Sequence, residues 1–223
     1  MDKYTPLQDK AYKYLKEEIL KGRFQYGKFY SETKIAAETG ISRTPIKDAL
    51  TRLCHAKYVD IVPSKGFCLH KITKDDIKNS YELRSAIEGY CVSSLSSALD
   101  NPKAQETIKK LEEIINRMEK EADDEENLKA FLLSDMELHK VILSYSGNEE
   151  FLDLADSYNL RQYEYARETF KIPGRTHTAH NEHLNLLNAI KSGSSADAFT
   201  ALKDHMLTTC NLVLKSLIED TEK

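Results

Sequence analysis

Residues 31–53, SETKIAAETGISRTPIKDALTRL, constrain the fold more than any other stretch of the chain. They read as two short helices around a tight turn, the second of them basic. Ile35, Ala36 and Ala37 give the first helix an apolar face. Gly40 supplies the positive φ that a sharp helix-to-helix turn requires, and Ile41 is expected to point back into the core. Ser42 is a natural N-cap, and Pro45 is tolerated in the following turn because no intrahelical N–H is lost there. Ile46, Leu50 and Leu53 repeat at helical spacing, whereas Arg43, Thr44, Lys47 and Arg52 fall largely outside that stripe. A helix with one apolar side and a basic, hydroxyl-bearing N-terminus suits a DNA major groove. An ordinary helical hairpin with a solvated charged face would share this spacing, so the segment alone leaves both readings open.

The flanking sequence narrows the choice. Residues 57–70, KYVDIVPSKGFCLH, read as two short strands: Tyr58, Val59, Ile61 and Val62, a turn at residues 63–66, then Phe67, Cys68 and Leu69. A β-hairpin directly after a helix-turn-helix is a wing, with Lys65 placed to meet phosphate and Gly66 to let the backbone approach a sugar-phosphate edge. A helix near residues 7–21, with Leu7, Ala11, Tyr14, Leu15, Glu18 and Ile19 at helical spacing, completes a three-helix core.

This ensemble resembles the winged helix-turn-helix of GntR-type bacterial transcription regulators. The likeness rests on Ser31-Glu32, on residues 40–46 in order (GISRTPI) and on Ala49-Leu50-x-x-Leu53. It implies DNA contacts from Ser31 and Thr33 at the start of the first helix. It further implies contacts from Ser42, Arg43, Thr44, Lys47 and Arg52 on the second, and from Lys65 and Gly66 on the wing. Many relatives carry arginine where this chain has Lys47, and a long polar residue where it has Thr33. Lysine reaches a guanine or a phosphate without the bidentate fork of arginine, so the preferred operator should differ.

Charge is divided along the chain. Residues 1–71 hold 14 Lys/Arg against 8 Asp/Glu, and the remainder holds 18 against 28, so the formal net charge of −4 conceals a basic segment joined to an acidic one. The basic segment attracts phosphate through counterion release and the acidic remainder is repelled. Non-specific DNA binding by the whole chain should therefore be weak and salt-sensitive.

With 223 residues the chain suits two domains, divided near residues 70–73: 1–71 for DNA binding and 72–223 for effector binding and dimerisation. Thr73 and Asp76 form a capping-box-like start to the second. The opening residues lack the cationic flank and apolar run of a signal peptide, and no stretch approaches the ~20 apolar residues of a membrane span. Cys54, Cys68, Cys91 and Cys210 form no CxxC pair and read as small apolar residues in a reducing cytoplasm, with a redox role as the alternative.

From residue 73 onward the periodicity is helical, broken at Asn101-Pro102, Ser146-Gly147-Asn148, Pro173-Gly174 and Ser192-Gly193-Ser194. The segments fall near residues 73–99, 102–121, 124–145, 148–170, 175–191 and 195–219, a compact helical bundle. The acidic run Glu119 to Glu126 reads as a solvated helix junction. Polar residues occupy apolar stripes in this bundle. Asp135 and His139, four apart, share the face of Leu128, Phe131, Leu132, Leu138 and Ile142. His183 continues the stripe of Leu186, Leu187 and Ile190, and His205 with Thr209 lies beside Leu202, Met206, Leu212 and Val213. A single inward histidine is ordinarily a hydrogen-bonded core residue. Three histidines and an aspartate on three helices also suit a divalent ion (Zn, Ni, Mn or Fe) with a coordination position left open.

Asp135-x-x-x-His139, then Glu182-His183-x-x-Leu186-Leu187-x-Ala189-Ile190, then Ala198-x-x-Ala201-Leu202-x-x-His205-Met206 resemble the helical effector domain, FCD, of the FadR subfamily of GntR regulators. The combined likeness spans about residues 8–215. It implies that Asp135, His139, His183 and His205 hold a divalent metal in an effector cavity, with His177 and His180 outside the ligand set on loop or surface. Arg84 stands in the stripe Ile77, Tyr81, Arg84, Glu88, Cys91, Leu95, where a charge must be paired or face a cavity. It either pairs with Glu88, four residues on, or takes an effector carboxylate through its guanidinium fork. Tyr81-Glu82-Leu83-Arg84-x-Ala86-Ile87-Glu88 resembles the opening FCD helix, where the arginine faces the cavity; Arg161 and Arg175 are further candidates by the same likeness.

The expectation is a mainly α protein: a winged helix-turn-helix with a small hairpin, followed by an all-α bundle. It should act in the cytoplasm as a homodimeric transcription regulator, in the repressor sense, on an inverted-repeat operator, answering to a small organic acid. A regulator whose signal is the ion itself is one alternative. A metal-dependent hydrolase is another, but the chain shows no HExxH pairing and no evident general base beside the ligands.

Overall fold

The computed structural model describes residues 5–123 and 128–221. The chain divides into two compact units, residues 1–72 and 73–223. Nine helices and one two-stranded sheet are present among the described residues.

In the first unit, α1 (Leu7–Leu20) and α3 (Arg43–His55) pack together and α2 (Glu32–Thr39) packs on α3. Ala11, Leu15, Ile35, Ile46, Ala49, Leu50 and Leu53 form the core between them. Each large aliphatic side chain among these contributes on the order of 1.5–3 kcal/mol by leaving water. Gly40 ends α2 at φ 67°, in the left-handed region, and so makes the turn sharp. Pro45 lies in the first turn of α3. Ser31 and Ser42 hold extended N-cap backbones, but neither side chain makes a cap hydrogen bond, contrary to the capping expected of Ser42. Three apolar assignments also shift: Ala37 is exposed, Leu7 is half exposed, and Ile41 is only half-buried. Helices of two or four turns bury a narrow stripe, at whose edge Ala37 and Leu7 fall, and Ile41 lies in the turn between α2 and α3.

The hairpin pairs β1 (Val59–Val62) with β2 (Gly66–Leu69) antiparallel, Val59 opposite Leu69 and Val62 opposite Gly66. A third segment, unsuspected from periodicity, docks on it. Tyr30 exchanges both backbone hydrogen bonds with Phe67, at 2.7 and 3.0 Å, and its ring joins Phe24 and Phe67 in one aromatic cluster. One residue cannot produce an alternating pattern, so no strand signal precedes it.

The regular elements of the second unit among the described residues are all helices: α4 (Lys74–Ser96), α5 (Pro102–Ala122), α6 (Leu128–Tyr145), α7 (Glu149–Phe170), α8 (Arg175–Lys191) and α9 (Ser195–Thr221). Both halves of the Thr73–Asp76 capping box form, and Asn101 and Asn148 cap α5 and α7 through their side-chain oxygens. α4 lies along α9, α5 packs on α6 and α8, and α7 touches α6 and α9. The expected junction at Glu119 to Glu126 lies partly outside the described residues; Glu119 and Asp123 within it are exposed. No described helix is long and apolar enough to cross a membrane. His177 and His180 sit in α8 rather than a loop, His177 exposed and His180 half-buried.

Candidate functional site

Three helices bring Asp135, His139, His183 and His205 together. α6 supplies the first two one turn apart, α8 the third and α9 the fourth, and one ligand atom from each lies within 4.8 Å of all the others. The imidazoles stand with centroids 4.5 to 5.6 Å apart. All three are nearly or wholly removed from solvent.

Their hydrogen bonds determine what they offer. His139 Nδ1 lies 2.6 Å from Glu88 Oε2 and His205 Nδ1 lies 2.7 Å from Glu182 Oε2. An ionised carboxylate only accepts, so each Nδ1–H donates and each Nε2 keeps its lone pair for the cluster. His183 approaches Asp135 at 3.4 Å through Nε2, yet neither of its ring nitrogens has a hydrogen-bond partner among the described residues. Burial, followed by the neighbouring His205 and His139, pushes His183 well below the usual imidazole pKa. His205 is lowered as well, because burial outweighs the pull of Glu182. Neutral imidazoles with lone pairs converging beside a carboxylate have the chemistry to hold a divalent ion, and His183, with both ring nitrogens unsatisfied among the described residues, has one to offer.

Around the cluster lies a cavity of about 430 Å³, lined among others by Tyr81, Arg84, Asp135, His139, Gln162, Arg175 and His205. Arg84 forms the pairing expected with Glu88 and also borders the cavity. Its Nε donates to Glu88 Oε1 at 2.8 Å and its Nη1 to Gln162 Oε1 at 2.8 Å, while the residue still borders the cavity. Glu88 is wholly buried; burial would raise its pKa, but Arg84 and His139 together hold it at about 2. Arg175 is committed elsewhere. Its Nη1 and Nη2 donate to both oxygens of Glu182, at 2.8 and 3.0 Å, and Nη2 also reaches Thr209 at 3.0 Å. Glu182 is held below the usual carboxylate range, because His205 and Arg175 overcome the opposing effect of its burial. Arg161 is buried but is not among the cavity residues; its neighbour Gln162 takes that place and is anchored through Nε2 to Ser80 Oγ at 2.6 Å.

Sequence reasoning missed Glu182 and Gln162 and valued Glu88 only as an intrahelical partner. Glu182 stands beside His183 in the motif, and a carboxylate next to a ligand histidine was a usable signal. Gln162 had none, since its partners Ser80 and Arg84 lie far away in the chain.

In the first unit Ser31, Thr33, Ser42, Arg43, Thr44 and Lys47 are all exposed or nearly so. The side chains of Arg43 and Lys47 make no hydrogen bond or ion pair among the described residues. Arg52 is placed apart from them. Nine residues on from Arg43, it falls roughly 180° round the helix. There its guanidinium binds Asp9 at 2.8 Å and stacks 4.3 Å from the Tyr12 ring centroid on α1. Lys65 is exposed at the hairpin turn, with Nζ 5.2 Å from the Phe29 ring centroid. Gly66 has a structural reason for lacking a side chain: at φ 96° a Cβ would collide with the Tyr30 carbonyl oxygen. The close approach foreseen at Gly66 is to its own chain.

A winged helix-turn-helix followed by a helical unit that encloses a cavity is the architecture of a two-domain DNA-binding regulator. Residues 7–69 match bacterial regulatory proteins of the gntR family and residues 79–208 match the FCD domain, so the chain belongs to the GntR-family transcription regulators that carry an FCD domain. It is 24% identical over 211 residues to the uncharacterized HTH-type transcriptional regulator YdhC of Bacillus subtilis, covering 95% of this chain and 91% of the relative. It is 21% identical over 214 residues to the HTH-type transcriptional repressor GlaR of Escherichia coli, covering 93% and 96%. Among solved structures, E. coli McbR/YncC superposes with a TM-score of 0.68 at 16% identity, covering 96% of this chain and all of that one. The chain is therefore a transcription regulator and not an enzyme.

Proposed function

We propose that this protein is a cytoplasmic, homodimeric repressor whose affinity for an inverted-repeat operator is set by a small carboxylate bound beside a divalent metal. The observation that carries the reading is the convergence of Asp135, His139, His183 and His205 on one point at the edge of a cavity that Arg84 also borders. An ion bound there supplies positive charge and open positions for a ligand oxygen. The ligand atoms lie up to 4.8 Å apart, beyond the ~4.2 Å that two metal–nitrogen bonds of about 2.1 Å can span, so they would draw together on binding. Arg84 keeps Nη2 without a hydrogen bond among the described residues, which suits it to an effector carboxylate. Arg175, with both terminal nitrogens bound to Glu182 and Thr209, suits that role less. Operator contacts fall to Arg43, Thr44 and Lys47, with Ser31, Thr33, Ser42 and Lys65 on the flanking backbone.

Metal analysis and a thermal-shift screen test the reading together. Purified protein should carry about one divalent ion per subunit, and His139→Ala or His183→Ala should lose it while remaining helical. A panel of small carboxylates should contain one that stabilises the loaded protein and does little for the stripped one. Full metal content in both variants would return the histidines to the core.

A further inference from the structure

Two chains of side chains reach the histidine cluster, one from α4 and one from α8, and they share one pattern. On α4, Arg84 holds Glu88 Oε1 at 2.8 Å while Glu88 Oε2 receives His139 Nδ1–H at 2.6 Å. On α8, Arg175 holds both oxygens of Glu182, and Oε2 of the same carboxylate receives His205 Nδ1–H at 2.7 Å. In each, an arginine fixes a glutamate and the glutamate fixes an imidazole. His183 lacks the arrangement, since its Nδ1 is buried with no partner among the described residues.

The geometry points to Glu88 and Glu182 as positioning residues for the metal site. Each selects the Nδ1–H tautomer of its histidine and aims the Nε2 lone pair at the shared point, with Arg84 and Arg175 holding the carboxylates in register. The inference rests on the metal reading above, and extends it to residues outside the ligand set. Four circumstances support it. Both carboxylates are engaged through two oxygens, which fixes their planes as well as their places. The contacts run between helices, α4 to α6 and α8 to α9, so they orient rings that helix packing alone leaves free to rotate. A donor-only arginine and an acceptor-only carboxylate leave the ring nitrogen a single role. Carboxylates hydrogen-bonded to ligand histidines raise the basicity of the imidazole and constrain its orientation. His183 is then the ligand held only by packing and by Asp135, and the least pre-oriented of the three.

Nitrogen-15 correlation spectra of the histidine rings in the metal-free full-length protein test the positioning directly. His139 and His205 should each show the Nδ1–H tautomer, assigned by loss of the matching signals in His139→Gln and His205→Gln. The Nε2–H tautomer at both rings in wild type overturns the inference, whatever the variants do. Zn²⁺ competition against a chromophoric chelator gives the second reading. Glu88→Gln and Glu182→Gln, which preserve shape and remove the anionic acceptor, should each bind Zn²⁺ about 10–100-fold more weakly. Asp123→Asn, exposed and outside both chains of contacts, should bind as wild type does. Wild-type affinity in both glutamine variants also overturns the inference. Wild type that binds no Zn²⁺ would overturn the metal reading instead, and the tautomers, read without metal, would decide the positioning separately.

Discussion

The two units place their polar residues by opposite rules. On α3 the side chains expected to meet DNA, Arg43, Thr44 and Lys47, are exposed, and the two basic ones are unpaired among the described residues. In the helical unit Arg84, Glu88, His139, Arg175 and His205 are all buried, or nearly so with their partner Glu182, and each is bonded to another. The contrast follows from the partners. A phosphate backbone brings its own charge and hydration to an open surface, so the cations that greet it gain by remaining free. A small ligand or ion taken out of water requires its contacts already in place, because an unsatisfied buried group costs about 1–3 kcal/mol and a charge more. Substitutions in the first unit should therefore alter binding and spare folding, and those in the second should alter both.

The largest effect is expected where a buried charge is stranded. Glu88→Ala leaves Arg84 Nε and His139 Nδ1 without an acceptor and should cost the helical unit about 3–5 kcal/mol in urea unfolding. A loss below about 1 kcal/mol would show that water replaces the carboxylate and that the site is more open than its burial implies. Next in size is Gly66→Ala, which combines a positive φ with a contact against the Tyr30 carbonyl. It should cost about 1–3 kcal/mol and weaken DNA binding through the wing, whereas Gly40→Ala, with open space around its Cβ, should cost only about 1 kcal/mol. Equal losses at the two glycines would remove the argument for the Tyr30 contact.

These glycines also separate what the sequence disclosed from what it withheld. Gly40 was legible because its immediate neighbours define the turn it makes, two short apolar periods with a break between them. Gly66 looked like a groove-facing glycine because Tyr30, whose carbonyl it must admit, lies on a different segment. The same division holds across the molecule. Helix limits in the second unit follow local signals, the Thr73–Asp76 box and the caps at Asn101 and Asn148, and those were readable. The inward histidines were readable too, since a polar residue in an apolar stripe is a local anomaly. Which carboxylate faces which imidazole was not, because Glu88 and His139 meet only after α4 and α6 have packed. Arg52 is a like case: its charge is visible in the sequence, but the partners it finds, Asp9 and Tyr12, are on α1.

The smaller effects sharpen the comparison within α3. Arg43→Ala should leave thermal stability within about 0.5 kcal/mol of wild type. It should nonetheless lower affinity for a selected duplex by about 1–3 kcal/mol, with loss of sequence preference. Arg52→Ala should do the reverse, losing about 0.5–1 kcal/mol of stability from its stacking on Tyr12 with little change in DNA affinity. If Arg52→Ala instead matched Arg43→Ala in fluorescence-anisotropy titrations, its attachment to α1 would have to yield on the DNA.

The buried cluster of the second unit is proposed to govern the exposed surface of the first, and one titration tests this most directly. Metal-loaded protein is titrated onto a duplex obtained by in vitro selection, with and without a carboxylate that stabilises it. DNA affinity should change by about 5–150-fold, the usual range of allosteric coupling, and carboxylate affinity should change by the same factor when DNA is added first. Unchanged DNA affinity at a saturating concentration of that carboxylate would contradict the coupling, and would leave the cavity a binding site with no say over the operator.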